Sequence, residues 1–349
     1  MAMNVGHVDQ TGCMTPASPH PLSTRRAVLA GASGFIGGVL RQELLAEGYE
    51  VTLVGRSAPA VSWHDTAAID TAIDGAALVI NLAGKSVNCR YTEKNRHEIR
   101  RSRVDTTRIL RDSISRVASP PPLWLNSSTA TIYRHAEDRP QTESDGEIGT
   151  GFSVSIATDW EDEFFAGELP QTRRVALRMA IVLGRGGALT PLIRVARLGL
   201  GGTQHDGWWF RSLFGSAARR RAGVWHEKRG TKGLQKFSWV HVDDVVAIVR
   251  FIRDRPNIDG VVNVSAPEPS DNRQLMALLR RNVGAPVGLP AYRWMLEVAM
   301  SVLRTETELV LKSRWVVPER LQNAGYVFQH STLEHALDDL ARPAPTATR

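Results

Sequence analysis

Three glycines spaced three apart stand in the run Gly31-Ala32-Ser33-Gly34-Phe35-Ile36-Gly37, between two apolar stretches. Their chemistry follows from the side chains they lack. Gly31 lets the backbone turn sharply, Gly34 lets it approach a pyrophosphate with no Cβ in the way, and Gly37 lets a helix lie close to a strand. Ser33, Phe35 and Ile36 then belong to a turn whose N–H groups sit unpaired at the positive end of a helix dipole, ready for phosphate. The second signal is Arg56, in Gly55-Arg56-Ser57. Where a dinucleotide site selects NAD, an acidic residue at that strand end holds the ribose hydroxyls. A guanidinium there grips a 2′-phosphate instead, through charge-assisted hydrogen bonds, and Ser57 is assigned to the same site. Together the two signals predict NADP(H) in preference to NAD(H).

A glycine turn carries this meaning only between a strand and a helix, so the neighbouring elements decide. Arg26 to Ala30 is a short apolar run, and Ile36, Leu40 and Leu44 recur at helical spacing until Gly48. Further apolar runs lie at 49–54, 76–82, 123–126 and 174–179, with helical stretches at about 92–117 and 159–166 between them. Apolar strands alternating with helices predict an α/β fold, a doubly wound parallel sheet of the Rossmann type, with a smaller C-terminal α/β substrate-binding region. The expected organisation is a disordered leader over 1–24 and an NADP-binding domain over 25–186 with parts of 237–265. A substrate-binding region follows over 187–300, then a small C-terminal domain over 301–341 and a frayed tail over 342–349. Within 203–236, Trp208, Trp209, Trp225 and Arg219-Arg220-Arg221 follow no clean period. That stretch reads as an insertion, either a substrate lid or a basic surface excursion pinned by its tryptophans.

Composition narrows the function classes. The chain has 349 residues, 42% of them hydrophobic, which suffices for a large core. Its two cysteines, Cys13 and Cys89, form no disulfide framework and point to a reducing compartment. With no apolar run of about 18 residues, a soluble cytoplasmic protein without membrane contact is expected. The net charge of +7 raises nucleic acid as a partner, but aromatics are not interleaved with the basic residues, and none is expected. No zinc spacing, G-x-S-x-G or Walker A run occurs, so neither a metal nor hydrolase or NTPase chemistry is predicted. The expected partner is a small-molecule substrate, and a homo-oligomer is left open.

Four segments, Gly31 to Gly37, Asn81-Leu82-Ala83-Gly84, Ser127-Ser128-Thr129-Ala130-Thr131-Ile132-Tyr133 and Ser238-Trp239-Val240-His241-Val242-Asp243-Asp244, occur in an order that resembles the extended short-chain dehydrogenases/reductases. The NAD-dependent epimerases/dehydratases belong to that class. Six further segments resemble the YfcH-like epimerase-family oxidoreductases, which carry a C-terminal domain of unknown function. They are Tyr91-Thr92-Glu93 with Ser102-Arg103-Val104, Leu198-Gly199-Leu200-Gly201-Gly202, Ala266-Pro267-Glu268-Pro269, and Val317-Pro318-Glu319-Arg320-Leu321 before Ala324-Gly325-Tyr326. The likeness runs from about Arg26 to Leu340. It implies that Leu82, Ala83 and Gly84 line the cofactor, with Arg103 where extended members usually have Asn. It further implies that Ala180, Ile181 and Val182 pass beside the nicotinamide, and that Thr129, next to Ser128, hydrogen-bonds the reacting oxygen.

The departure from that family matters more. Extended members use Tyr-x-x-x-Lys as the acid–base pair, and counting back from Glu161 the two positions hold Ser153 and Ala157. Neither can do that work, worth about 10²- to 10⁴-fold in rate. Tyr133, Asp159 and His241 are the candidate substitutes. Among these Tyr133 is favoured, although a buried structural tyrosine is the stronger reading of that residue, while His241, Asp243 and Asp244 are explained by a helix start. Lys85 faces either the cleft or water. The functional expectation is an NADP(H)-dependent oxidoreductase or epimerase-like enzyme on an unknown small polar substrate; the alternative is a non-catalytic NADPH-binding sensor or scaffold.

Overall fold

The computed structural model describes residues 25–187, 189–207, 216–227 and 229–342. The expected leader and most of the tail, with Cys13, Trp208 and Trp209, lie outside these residues.

The first half alternates as its apolar pattern requires. β1 (Arg26–Ala30), α1 (Phe35–Ala46), β2 (Glu50–Gly55), β3 (Val61–Ser62), α2 (Thr66–Ile73), β4 (Leu78–Asn81), α3 (Glu93–Arg116), β5 (Leu123–Thr129), α4 (Phe152–Phe165) and β6 (Arg173–Met179) follow in order. α4 starts seven residues before the expected Asp159. Phe152, Ile156, Trp160 and Phe164 repeat every fourth residue and present one apolar face, a period hidden by the serines and threonine among them. The chain continues through β7 (Ile181–Leu183), α5 (Leu189–Val195), β8 (Gln204–His205), α6 (Ser216–Arg221), β9 (Lys236–Phe237), β10 (Trp239–His241), α7 (Val242–Arg253) and β11 (Gly260–Val264). β12 (Ser270–Asp271), α8 (Asn272–Val283), β13 (Ala291–Tyr292), α9 (Arg293–Val302), α10 (Glu308–Leu311), α11 (Glu319–Asn323) and α12 (Leu333–Ala341) complete it.

Seven strands form one sheet in the order β11-β6-β5-β4-β1-β2-β3, and every pairing is parallel. Strand order reverses at β1, which pairs with both β2 and β4. In a sheet of this kind the crevice for a ligand opens at that reversal, beyond the strand C-terminal ends. Both sheet faces are covered: Leu29, Ile80, Leu125, Leu177, Val245 and Val249 share one core, and Val28, Val79, Trp124, Leu110 and Phe164 another. A third core joins Leu183 and Trp239 to Leu275, Leu279 and Leu337, so α12 packs back onto α8.

Candidate dinucleotide site and the adjoining cleft

At the reversal point, Gly31 has φ +83°, and a Cβ there would come within 2.6–2.8 Å of the Leu82 and Ala83 backbone. The first glycine therefore serves both the turn and the close approach of β4. A Cβ on Gly37 would meet the Gly31 carbonyl oxygen at 2.3 Å, so the third glycine seats α1 on the end of β1. Gly34 differs from both. Its Cβ would touch only the Gly31 oxygen at 3.4 Å, and both Ser33 and Gly34 are exposed. The backbone there faces open space.

Helices α2, α3 and α8 are capped by the side chains of Asp65, Thr92 and Asp271, whereas α1 has no side-chain cap and no acidic residue in its first turn. Its first intrahelical bond runs from Gly38 N–H to Gly34 O. The N–H groups of Phe35, Ile36 and Gly37 precede it and have no acceptor within the helix. A pyrophosphate fits this cradle. The Phe35 ring turns away onto the Gly184 to Gly187 turn, where a Cβ on Gly184 would lie 2.2 Å from its Cζ. Phe35 thereby ties the glycine turn to the segment following Ala180, Ile181 and Val182. Arg56 and Ser57 are exposed just past β2, and Arg56 has no carboxylate partner among the described residues.

The opposite wall is held by a buried polar network. Asn81 Nδ2 donates to Asn126 Oδ1 (2.7 Å) and Thr107 Oγ1 (3.1 Å), while its Oδ1 accepts from Ala83 N–H (3.0 Å). Trp160 Nε1 donates to the same Thr107 hydroxyl. This fixes the path of Leu82, Ala83 and Gly84. Under Gly84 lies the Arg103 guanidinium, which donates to Lys85 O and Ile99 O and sits 5.1 Å from the Trp160 ring centre. Burial without a carboxylate partner pushes it down to about 10. Lys85 is neither free nor aimed at the cleft, because its ammonium is taken by Glu98 and Asn95 of α3.

Thr129 ends β5, and its Oγ1 accepts from Thr131 N–H at 3.1 Å. A hydroxyl has one proton to give, and that of Thr129 is not committed among the described residues. Ser128 points the other way. It is buried and donates to Glu161, whose carboxylate also takes Arg178 Nε (2.9 Å) and Nη2 (2.7 Å). Tyr133 belongs to this second network: 1% exposed, it accepts from Arg178 Nη1 and donates to Asn263 Oδ1, both at 2.9 Å. Burial raises its phenol above the ordinary range. Both hydroxyl roles are filled, so of the two sequence readings the geometry favours the structural tyrosine. Asp159 is engaged with Arg100 at 2.8 Å.

At the tyrosine and lysine positions of the pattern, Ala157 is buried among Ile132, Tyr133 and Val316, and Ser153 Oγ donates to Glu308 Oε2 at 2.8 Å. Glu308 comes from the C-terminal region and stands beside Lys312, whose ammonium donates to Thr131 O at 2.8 Å. Arg314 Nε donates to Thr131 Oγ1 at 3.2 Å. These three residues were not among the sequence candidates. Their signal was two cations, Lys312 and Arg314, on either side of Ser313 inside the otherwise apolar stretch Leu309 to Val317. The insertion also reads differently in three dimensions. Trp225 lies under Arg219, Arg220 and Arg293, and Arg219 pairs with Glu297 and Glu306.

His241 caps α7 through Nδ1, which accepts from Asp243 N–H, and its ring stacks on His330 at 3.8 Å and 28°. Asp339 Oδ2 stands 3.8 Å from His241 Nε2 and 4.0 Å from His330 Nε2. A metal would need the His241 Nε2 lone pair, but an accepting Nδ1 leaves Nε2 carrying the proton, and stacked rings point their nitrogens side by side. Burial holds His241 below the ordinary value, the facing His330 adding to this against Asp243, Asp339 and Asp244; burial likewise lowers His135. An imidazole harder to protonate folded than unfolded favours the folded chain fully above about pH 6.5, and that contribution is lost as pH falls below it. Denaturant unfolding should show stability declining between pH 7 and 5, by up to about 1.4 kcal/mol per unit per group. His241→Asn, which can still cap α7, should flatten the decline; an unchanged slope would remove His241 from the account.

Comparison with known proteins agrees with this geometry. Residues 27–191 match the NAD dependent epimerase/dehydratase family and 293–340 a domain of unknown function, DUF1731. The epimerase family protein SDR39U1 of Mus musculus is 29% identical over 327 residues, spanning 90% of this chain and 99% of its own. The epimerase family protein YfhF of Bacillus subtilis is 28% identical over 321 residues, spanning 89% and 96%. Among solved structures, human SDR39U1 (isoform2) with NADPH superposes with a TM-score of 0.76 at 26% identity, covering 90% of this chain and 99% of that one. MoeE5 in complex with UDP-glucose and NAD reaches 0.66 at 18% identity, covering 91% and 97%, a likeness of fold. Among the described residues no helix is long and apolar enough to cross a membrane. The glycine cradle at the sheet reversal, the two family matches and these relatives lead to one conclusion: the chain carries an epimerase/dehydratase domain of the extended short-chain dehydrogenase/reductase type over residues 27–191 and a DUF1731 domain over 293–340.

Proposed function

We propose that this chain is an NADP(H)-dependent oxidoreductase or epimerase-like enzyme whose small polar substrate enters between the glycine-turn domain and the C-terminal region. The observation that carries this reading is the uncapped N-terminus of α1 behind a Gly34 that faces open space. Phe35, Ile36 and Gly37 N–H groups would hold the pyrophosphate, Arg56 and Ser57 the adenosine 2′-phosphate, and Leu82 to Gly84 the far wall. The NADPH named with the human relative supports the choice of cofactor. When bound, the nicotinamide exchanges a hydride with substrate; Thr129 would orient the reacting oxygen with its free proton. Ser153 and Ala157 in place of the acid–base pair support the second reading, an NADPH-binding sensor without turnover.

Calorimetric titration tests the cofactor: Arg56→Ala should weaken NADPH about tenfold, the loss of ~1.4 kcal/mol of charge-assisted bonding, and leave NADH unchanged. Equal affinity of the parent for both cofactors would remove the 2′-phosphate role. Absorbance of bound NADPH across a panel of small carbonyl compounds separates enzyme from sensor, and Thr129→Ala should slow any turnover found.

A further inference from the structure

We infer that the cleft beside Thr129 receives a carboxylate of the substrate, held by Arg314 and Lys312 of the C-terminal domain. The inference deepens the enzyme reading above and rests on it. Arg314 is 8% exposed and Lys312 6%, so both charges are largely withdrawn from water. A buried cation is tolerated only with a counter-charge and saturated donors. Elsewhere this chain meets that requirement: Arg178 has Glu161, Arg293 has Asp206 and Glu297, and Arg219 has Glu297 and Glu306.

Arg314 does not. Among the described residues no carboxylate lies within 4 Å of it. Its Nε goes to Thr131 Oγ1 and its Nη1 to Leu309 O and Lys312 O, while Nη2 has no acceptor. Lys312 spends one of three donors on Thr131 O and has Glu308 at 3.8 Å. Glu308 in turn accepts from Ser153 Oγ at 2.8 Å, which joins Lys312 to the position where the family pattern has its tyrosine.

The charges at Thr131 do not balance: Arg314 and Lys312 meet there, Glu308 stands 3.8 Å from Lys312, and among the described residues no carboxylate lies within 4 Å of Arg314. Ser153 is only partly buried and marks the side from which Glu308 is reached. An arriving carboxylate would supply the missing counter-charge, one oxygen toward Arg314 Nη2 and one toward the Lys312 ammonium. Burial pulls Lys312 down to about 8, and an anion beside it would return it toward the ordinary lysine range. Thr131, which both cations grip, is two residues from Thr129, so the bound acid would lie next to the reacting oxygen.

Acetate, succinate and 2-oxoglutarate, each against its uncharged amide, should be titrated calorimetrically into the full chain with and without NADPH. At least one carboxylate should bind about tenfold or more tighter than its amide, the scale of one charge-assisted contact. Arg314→Met should lose about that factor while NADPH affinity stays within about twofold, and Arg314→Lys should fall between. Glu308→Gln, which removes the competing negative charge, should tighten the carboxylate and does not depend on Arg314→Met folding. Carboxylate and amide binding alike, or not at all, overturns the inference, and Arg314 is then a brace for the C-terminal turn of α10. Loss of NADPH affinity in Arg314→Met overturns it too, by moving the guanidinium to the cofactor. Failure of the parent to bind NADPH sinks the enzyme reading instead, and the titrations without NADPH still decide the carboxylate.

Discussion

Gly34→Val is expected to lose NADPH binding by about 10²-fold or more while the protein stays folded. Of the three glycines in the turn, only Gly34 has room for a side chain, since its Cβ would meet one protein atom at 3.4 Å. Its φ of −81° with ψ 166° is extended backbone that valine readily adopts. The added atoms would therefore occupy the space over the uncapped N–H groups of α1. Losing two hydrogen bonds to a charged phosphate, each worth about 1.5–3 kcal/mol, accounts for the expected factor. Gly37→Val makes the contrast: its Cβ would strike the Gly31 oxygen at 2.3 Å, so it should fail in folding before binding can be measured. Circular dichroism and thermal melting decide between the two outcomes. Parental NADPH affinity in folded Gly34→Val would place the phosphates elsewhere.

Glu161→Ala should destabilise the protein by about 3–5 kcal/mol, a large share of a typical domain's 5–15. Glu161 is 7% exposed and takes two Arg178 donors and the Ser128 hydroxyl. Burial alone would push the Arg178 guanidinium down, and Glu161 more than reverses this, holding it above its ordinary value. Without the carboxylate a buried cation is left unpaired. Glu161→Gln, keeping volume and an acceptor, should cost less. Tyr133→Phe, which removes the hydroxyl between Arg178 and Asn263, should cost about 1–3 kcal/mol and leave NADPH affinity unchanged. Urea denaturation of the three variants measures the series. A Tyr133→Phe protein as stable as the parent, with turnover reduced, would return Tyr133 to the role of proton donor.

Local sequence determined the glycine turn and the strand–helix alternation, because both depend on interactions a few residues apart. A missing Cβ at 31, 34 and 37, a β-branched run and a four-residue apolar period act wherever the chain goes, and β1, α1, β4 and α3 lie where these patterns put them. The place of Arg56 just past β2 was equally legible, since a strand end names its own position. The direction of a side chain within β5 was not. Ser128 and Thr129 are adjacent and similar, yet alternation sends Ser128 to Glu161 and leaves Thr129 half-buried on the other side, its Oγ1 accepting from Thr131 N–H. Tyr133 was chosen for its sequence proximity to Thr129, but what decides its chemistry is Arg178 and Asn263, 45 and 130 residues away. The same holds for Ser153, whose partner Glu308 lies 155 residues on. Charge compensation is a property of packed neighbours, and only the tertiary structure brought Lys312 and Arg314 to Thr131 without bringing enough carboxylates to balance them.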